Sequence, residues 1–303
     1  MGPRQVSGVF PPIPTPFDAS GAIDFDGLTR NLTWWTEQDL AGYVLVGSNG
    51  EAVHLTINEK LELIEFVRGR VPAERALIAG TGLPSTVASI ALCTEAAKAG
   101  ADLVLVLPPS FYRGQMTDDA LRAHFEAVAD ASPVPVLIYN MPANTGLDLS
   151  ADLIAALSTH SNIAGLKDSS GNVAKLAELR GRLGPGFALL AGSASFFLPA
   201  LSAGADGGIL ALANIAPSVC ADIFGLAERG AWGEAREIQS RIVRANTAVT
   251  RRWGVPALKA AMDMIGLCGG PPRRPLLPLP GPQRQELRTI LSEAGILSAK
   301  ETR

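Results

Sequence analysis

The chain has 303 residues, of which 47% are hydrophobic and 18% charged, with a formal net charge of -3, a balance that makes a folded apolar globule and not a disordered chain. No Lys/Arg run exceeds two residues, as at Arg251-Arg252 and Arg273-Arg274, and no run of about 18 apolar residues occurs, so nucleic acid and membrane are excluded as expected partners. Cys93, Cys220 and Cys268 are odd in number, widely spaced and without Cys-x-x-Cys spacing, which argues against a disulfide frame or zinc site and for a reducing, cytoplasmic setting.

The N-terminal Met1-Gly2-Pro3-Arg4-Gln5 leads toward a first strand with no signal-peptide apolar stretch. Eight short apolar runs then follow: Val9 to Pro12, Tyr43 to Gly47, Ala76 to Gly80, Leu103 to Leu107, Val134 to Tyr139, Ile163 to Lys167, Ala188 to Ala191 and Gly208 to Leu212. Each is followed by a stretch with helical spacing. One of these, Glu59 to Val67, is opened by Thr56-x-x-Glu59, a capping-box signature. Strands apolar along their whole length, alternating with helices, make a parallel sheet covered on both faces. Eight such units predict an α/β fold, a (β/α)8 TIM barrel, with an open doubly wound sheet as the alternative. No Gly-x-Gly-x-x-Gly turn follows the first strand and no Gly-x-x-x-x-Gly-Lys-Ser/Thr loop occurs. The barrel core is assigned to residues 1–215. Residues 216–303 are assigned to the last barrel helix and a helical extension, with helical pattern over Ile223 to Gly230, Glu234 to Thr247, Pro256 to Ile265 and Pro282 to Ala294. The Pro-rich stretch Gly269 to Pro282 reads as a rigid linker. No polar constellation suggests chemistry in this extension, so its expected role is packing or subunit contact.

Active sites of (β/α)8 barrels lie at the C-terminal ends of the strands, which gives weight to polar residues placed there. Lys167 ends the apolar run Ile163-Ala164-Gly165-Leu166, and the other five of the chain's six lysines lie in stretches that read as helix surface or tail. Desolvation favours the neutral, nucleophilic form of an amine, which is what Schiff-base chemistry needs. The competing reading is a structural ion pair between Lys167 and Asp168. The second strand ends in Gly47-Ser48-Asn49-Gly50-Glu51, where glycines let backbone N–H groups approach a carboxylate or phosphate. The fifth ends in Tyr139-Asn140-Met141-Pro142-Ala143-Asn144-Thr145-Gly146, so Tyr139 and Lys167 stand on adjacent strands, where a phenol beside an ammonium can pass protons; a rim aromatic satisfied by backbone is the alternative. His54, His124 and His160 are scattered and read as helix-surface or cap residues, so no metal is expected. Cys93 and Cys220 read as packing and Cys268 as a turn residue. Ser193 lacks a nearby histidine and a nucleophile elbow, which disfavours a serine hydrolase.

The motifs Gly47-Ser48-Asn49-Gly50-Glu51, Tyr139-x-x-Pro142-x-x-Thr145-Gly146 and Leu166-Lys167-Asp168 resemble those of the dihydrodipicolinate synthase/N-acetylneuraminate lyase superfamily. The resemblance runs from Pro11-Pro12-Ile13-Pro14-Thr15-Pro16-Phe17 to Arg274-Pro275-Leu276. It implies class I, Schiff-base chemistry on pyruvate or another 2-keto acid, with no cofactor or metal. Lys167 would form the imine, Tyr139 would be the general acid/base, and Ser48 with Asn49 would bind the keto-acid carboxylate, with Ser48, Tyr112 and Tyr139 forming a proton relay and Asn49 and Ser169 helping to read the far carboxylate. Tyr112 matches a tyrosine that reaches into a neighbouring subunit's site, which implies a homotetramer built as a dimer of dimers. Asn144, Ser169, Gly192 and Ile209 complete the expected substrate contacts. Dihydrodipicolinate synthases carry an arginine at the position of Asn144, and a neutral amide cannot replace a bidentate guanidinium. The segments Pro142 to Leu149, Leu166 to Ser169, Leu190 to Ala194, Ala211 to Asn214 and Ala248 to Arg252 instead resemble the 4-hydroxy-2-oxoglutarate aldolases. That resemblance implies cleavage to pyruvate and glyoxylate. Alternatives are dihydrodipicolinate synthesis, another sugar-acid lyase or dehydratase, and a non-catalytic barrel that binds a keto acid.

Overall fold

A computed structural model describes residues 6–297, so Met1 to Gln5 and Lys300 lie outside the described residues. Eight strands form one all-parallel sheet: β1 (Gly8–Phe10), β2 (Gly42–Leu45), β3 (Ala76–Gly80), β4 (Leu103–Val106), β5 (Val136–Asn140), β6 (Ile163–Asp168), β7 (Ala188–Ala191) and β8 (Gly207–Ile209). Their order is β1-β8-β7-β6-β5-β4-β3-β2. The sheet closes where β1 meets β2, through a parallel bridge between Pro12 and Val44 and the bonds Val44 N→Pro11 O (3.0 Å) and Ile13 N→Val44 O (2.8 Å). The expected TIM barrel is therefore the fold.

The strand limits differ from the sequence reading where the backbone cannot pair. β1 stops at Phe10 because Pro11 and Pro12 have no N–H to donate to a ladder. β8 stops at Ile209, where the chain tightens into a 3-10 turn over Ala211–Asn214. β5 starts at Val136, after Pro135, and β6 runs on to Asp168.

Helices α1 (Phe25–Thr36), α2 (Ile57–Arg68), α3 (Thr86–Lys98), α4 (Asp118–Ala131), α5 (Pro142–Thr145), α6 (Ala151–Leu157), α7 (Val173–Arg180), α8 (Phe197–Ser202) and α9 (Pro217–Glu228) alternate with or follow the strands. Then come α10 (Trp232–Thr247), a π-helical turn over Ala248–Arg252, α11 (Gly254–Met264) and α12 (Gly281–Glu293). The Thr56/Glu59 capping box opens α2 as its pattern implied. Alternation along the strands sorts side chains into two cores. Phe10, Val44, Ile78, Leu105, Leu137, Leu190 and Ile209 fill the barrel, while Trp35, Phe125, Leu153 and Leu176 pack between strands and helices. Each such buried side chain contributes roughly 1.5–3 kcal/mol. Among the described residues no helix is long and apolar enough to cross a membrane.

Three lysines depart from the helix-surface reading. Lys60, Lys175 and Lys259 are 5%, 8% and 1% exposed, because each is on the face that its helix turns toward the barrel. His124 is likewise buried and not on the helix surface. Its Nδ1 lies 2.9 Å from Thr86 Oγ1, and burial pulls its pKa down to about 4. Cys93 and Cys220 are buried and free, and burial pushes the Cys220 thiol up to about 12, as suits a packing residue.

Candidate active site

β5 and β6 pair in register with Tyr139 opposite Lys167 and Asn140 opposite Asp168. Because side chains alternate across a sheet, Tyr139 and Lys167 face the barrel interior together, and Asn140 and Asp168 face the surrounding helices. Lys167 is 5% exposed, with Nζ 4.0 Å from the centroid of the Tyr139 ring. The ion pair read from local sequence does not form. The Asp168 carboxylate is fully buried on the outer face, where it meets Lys175 Nζ at 3.1 Å, Asn140 Nδ2 at 2.7 Å, and the Ser170 backbone N–H at 2.8 Å. Lys175 Nζ also reaches Asp148 at 2.6 Å, and Asn140 Nδ2 donates to Asp148 at 2.7 Å. Asp168 thus anchors the strand end from outside and leaves Lys167 without an adjacent carboxylate.

Burial pushes the Tyr139 phenol up, yet the Lys167 ammonium and the side chains of Ser48, Lys167 and Ser169 that converge on its hydroxyl outweigh this, so its pKa falls below the ordinary phenol value. The arrangement suits a group that gives and takes a proton in an enclosed site. Two buried donors, one on the loop after β2 and one on the turn after β6, are not fully spent. Asn49 Nδ2 is a buried atom with no hydrogen-bond partner among the described residues, and Ser169 Oγ meets the Tyr139 hydroxyl without making a bond of regular geometry, whereas buried donors are normally paired. Acceptor oxygens of a bound ligand would satisfy each.

The loop that carries Ser48 and Asn49 is bracketed by Val46 (φ 46°) and Glu51 (φ 56°), the two non-glycine residues with positive φ among the described residues. Left-handed backbone at such positions costs on the order of 1–3 kcal/mol each and persists only where its surroundings hold it. A cavity of about 450 Å³ opens from this loop, lined by Ser48, Gly80, Leu107, Lys60 and Tyr139 among others. Its walls are mostly aliphatic, and its polar side chains are Ser48, Thr56, Lys60 and Tyr139.

The remaining expected residues take varied positions. Gly192 directly follows β7, the strand paired with Lys167, and donates its N–H to Asp168 O at 2.7 Å. A Cβ there would lie 1.9 Å from Ser169 Oγ, so glycine is what admits that hydroxyl. Ile209 is fully buried, with its side chain in the barrel core. Asn144 is exposed on α5, just beyond Tyr139. A Cβ at the following Gly146 would sit 2.3 Å from Arg113 Nη1. A guanidinium therefore still borders this turn although residue 144 is neutral, and it comes from another loop. Tyr112 is 71% exposed on that loop, stacked edge-on against Phe111 at 5.0 Å, and does not join Tyr139 within one chain. Among the described residues no group of three His, Cys, Asp or Glu side chains could hold a metal ion. His54, read as a surface or cap residue, lies after β2 with Nδ1 3.2 Å from Glu51 Oε2.

A parallel barrel with a lysine and a tyrosine paired at its C-terminal rim defines a class of barrel enzymes. Residues 5–294 match the model of the dihydrodipicolinate synthetase family, and the chain belongs to that family. It is 40% identical over 294 residues, covering 95% of both proteins, to the probable mitochondrial 4-hydroxy-2-oxoglutarate aldolase of Emericella nidulans. It is also 33% identical to the 4-hydroxy-tetrahydrodipicolinate synthase of Rhodopseudomonas palustris, over 96% of this chain and 97% of that protein. The crystal structure of YagE, a dihydrodipicolinic acid synthase family prophage protein of E. coli K12 in complex with pyruvate, superimposes with a TM-score of 0.91 at 28% identity, covering 97% of this chain and all of that one.

Proposed function

We propose that this chain is a class I, Schiff-base-forming pyruvate aldolase that cleaves 4-hydroxy-2-oxoglutarate to pyruvate and glyoxylate. The observation that carries this reading is Lys167 Nζ held over the Tyr139 ring inside the barrel, free of Asp168. The likeness to the Emericella aldolase supports the substrate, and the pyruvate complex of YagE supports the keto acid.

The Lys167 amine attacks C2 of the keto acid, and loss of water gives an iminium. Tyr139, as phenolate, takes the proton of the C4 hydroxyl. The C3–C4 bond breaks, its electron pair passes into the enamine, and glyoxylate leaves as the new carbonyl forms. C3 is then protonated, and water attacks the iminium carbon to release pyruvate and regenerate the amine. Ser48 and Asn49 seat the C1 carboxylate, with Ser169 and Asn144 toward the far end of the substrate and the Gly192 and Ile209 backbones along it. Tyr112 extends the proton relay from a neighbouring copy. The exposed pair Phe111 and Tyr112, at 80% and 71%, supports a subunit contact of that kind in a homotetramer. The proposed setting is the cytoplasm, in keeping with three unpaired cysteines.

A second reading, condensation of pyruvate with aspartate semialdehyde, is favoured by one observation, the Arg113 guanidinium at the Asn144 turn. Borohydride reduction with pyruvate tests the core chemistry. A mass increase on the peptide containing Lys167 is expected, and its absence rules out the imine. Assaying glyoxylate against aspartate semialdehyde as acceptor then separates the two readings, with glyoxylate expected.

A further inference from the structure

The strained loop Val46 to Glu51 is held from a part of the chain that the barrel does not contain. Glu51 is 2% exposed. Its Oε1 lies 2.6 Å from Nζ of Lys259 on α11, with both side chains 1% exposed. Its Oε2 accepts from the Arg273 backbone N–H at 2.9 Å. Lys259 Nζ also donates to Pro271 O at 3.0 Å and stands over the Phe17 ring at 4.4 Å. The Arg273 guanidinium covers the same ring at 4.3 Å and grips both Glu59 oxygens, at 2.7 and 3.0 Å. It donates as well to His54 O at 2.9 Å and Gly21 O at 2.7 Å. From the barrel side, Thr15 Oγ1 donates to Gly50 O at 2.8 Å.

We infer that α11 and the Pro-rich segment after it form a clamp, in which Lys259 and Arg273 act through Glu51 as positioning residues that keep Ser48 and Asn49 aimed at the substrate carboxylate. The inference rests on the proposed reading that this loop seats that carboxylate. Neither clamp residue lines the cavity beside Tyr139, so the effect is indirect. The choice of a buried ion pair is informative, since apolar residues of similar volume generally stabilise as well or better. What the charge pair adds, together with the Arg273 backbone N–H on the other oxygen, is a fixed direction for the carboxylate. Here the directed group is the carboxylate at the left-handed end of the loop, where an L side chain does not settle unaided. The π-helical turn and the Pro-rich stretch then serve to bring Lys259 and Arg273 onto one carboxylate.

The test uses the full chain as Lys259→Met and as the double variant Lys259→Met/Glu51→Gln. The double variant leaves no unpaired buried charge and keeps the shape of both side chains, so it stands in if the single variant does not fold. Hydrogen exchange of the amides of residues 47–50 is expected to accelerate at least tenfold in the double variant, while those of β5 and β6 stay within twofold. The pyruvate concentration that half-saturates borohydride trapping at Lys167 should rise at least tenfold, with the trapping rate at saturation changed less than threefold. A folded double variant with wild-type exchange in the loop overturns the clamp. So does accelerated exchange with unchanged half-saturation, because the loop would then not govern carboxylate seating. Failure of the wild type to trap pyruvate overturns the functional reading instead, and the exchange measurement still decides whether α11 holds the loop.

Discussion

Replacing Gly192 by alanine strikes the junction of fold and site. A Cβ there would lie 1.9 Å from Ser169 Oγ, 2.7 Å from Asp168 O and 2.9 Å from Ser169 Cα. Rotating the serine hydroxyl relieves the first contact and forfeits the donor proposed to read the substrate. The other two contacts are backbone. Moving the Asp168 carbonyl from 2.7 Å to an ordinary 3.4 Å displaces the chain by about 0.7 Å at the residue after Lys167. That displacement stretches the Gly192 N→Asp168 O bond of 2.7 Å. Overpacking and a weakened buried hydrogen bond together cost about 2–4 kcal/mol, which corresponds to a drop in Tm of about 3–6 °C for a chain of this size. Since an error of about 1 Å in a reacting group can cost on the order of 100-fold in rate, a fall in kcat of at least about tenfold is expected. Calorimetry and steady-state retro-aldol kinetics on the same preparation measure both. A Gly192→Ala variant with wild-type kcat and a Tm within a degree of wild type would refute the steric reasoning.

Three further outcomes follow from the geometry. Tyr139→Phe removes one oxygen and leaves the ring beneath Lys167, so borohydride trapping of pyruvate is expected to persist while retro-aldol kcat falls about 10²–10⁴-fold, as read by stopped assays. Lys175→Met takes the cation from the fully buried Asp168 carboxylate and is expected to cost about 3–5 kcal/mol in urea unfolding, yet imine formation at Lys167 should survive in the folded fraction. The depressed pKa of His124, about 4 against an unfolded value near 6.5, means that the unfolded chain binds the extra proton first. Its contribution is therefore complete above about pH 6.5 and is lost as pH falls toward 4, amounting to about 2 kcal/mol between pH 7.5 and 5. His124→Asn should flatten that segment of the stability curve, and an unchanged slope would show that His124 does not titrate as stated.

The barrel was legible because eight apolar runs carry their periodicity locally, and their ends failed where prolines silence a donor, as at Pro11 and Pro12. The sequence alone places Lys167 and Tyr139 on adjacent strands, since strand order in an α/β barrel follows chain order. Asp168 shows the limit of local reading. Adjacent in sequence to Lys167, it points to the opposite face, and its true cation, Lys175, sits on the next helix. Lys60, Lys175 and Lys259 looked solvated because their flanking pattern does not say which helix face meets the barrel. The polar role of the C-terminal segment was invisible for a different reason. Its partners, Glu51 and Glu59, lie more than 200 residues earlier, and no window of the sequence contains both halves. Arg113 was missed because its contact is with a glycine two residues past the position where an arginine was sought.

The division of labour between β5–β6 and the short turn α5 bears on how such enzymes diversify. Tyr139 and Lys167 are fixed by ladder pairing and by an outward latch that no substrate touches, whereas Asn144 stands on a four-residue helix facing solvent. On the proposed reading, mutations in that turn would retune the choice of aldehyde at little cost to folding or to imine formation. A lineage could drift from one acceptor to another while its carbon–carbon chemistry stayed intact at every step. Relatives with different substrate names, at 40% and 33% identity along nearly the whole chain, are what such a history would leave behind.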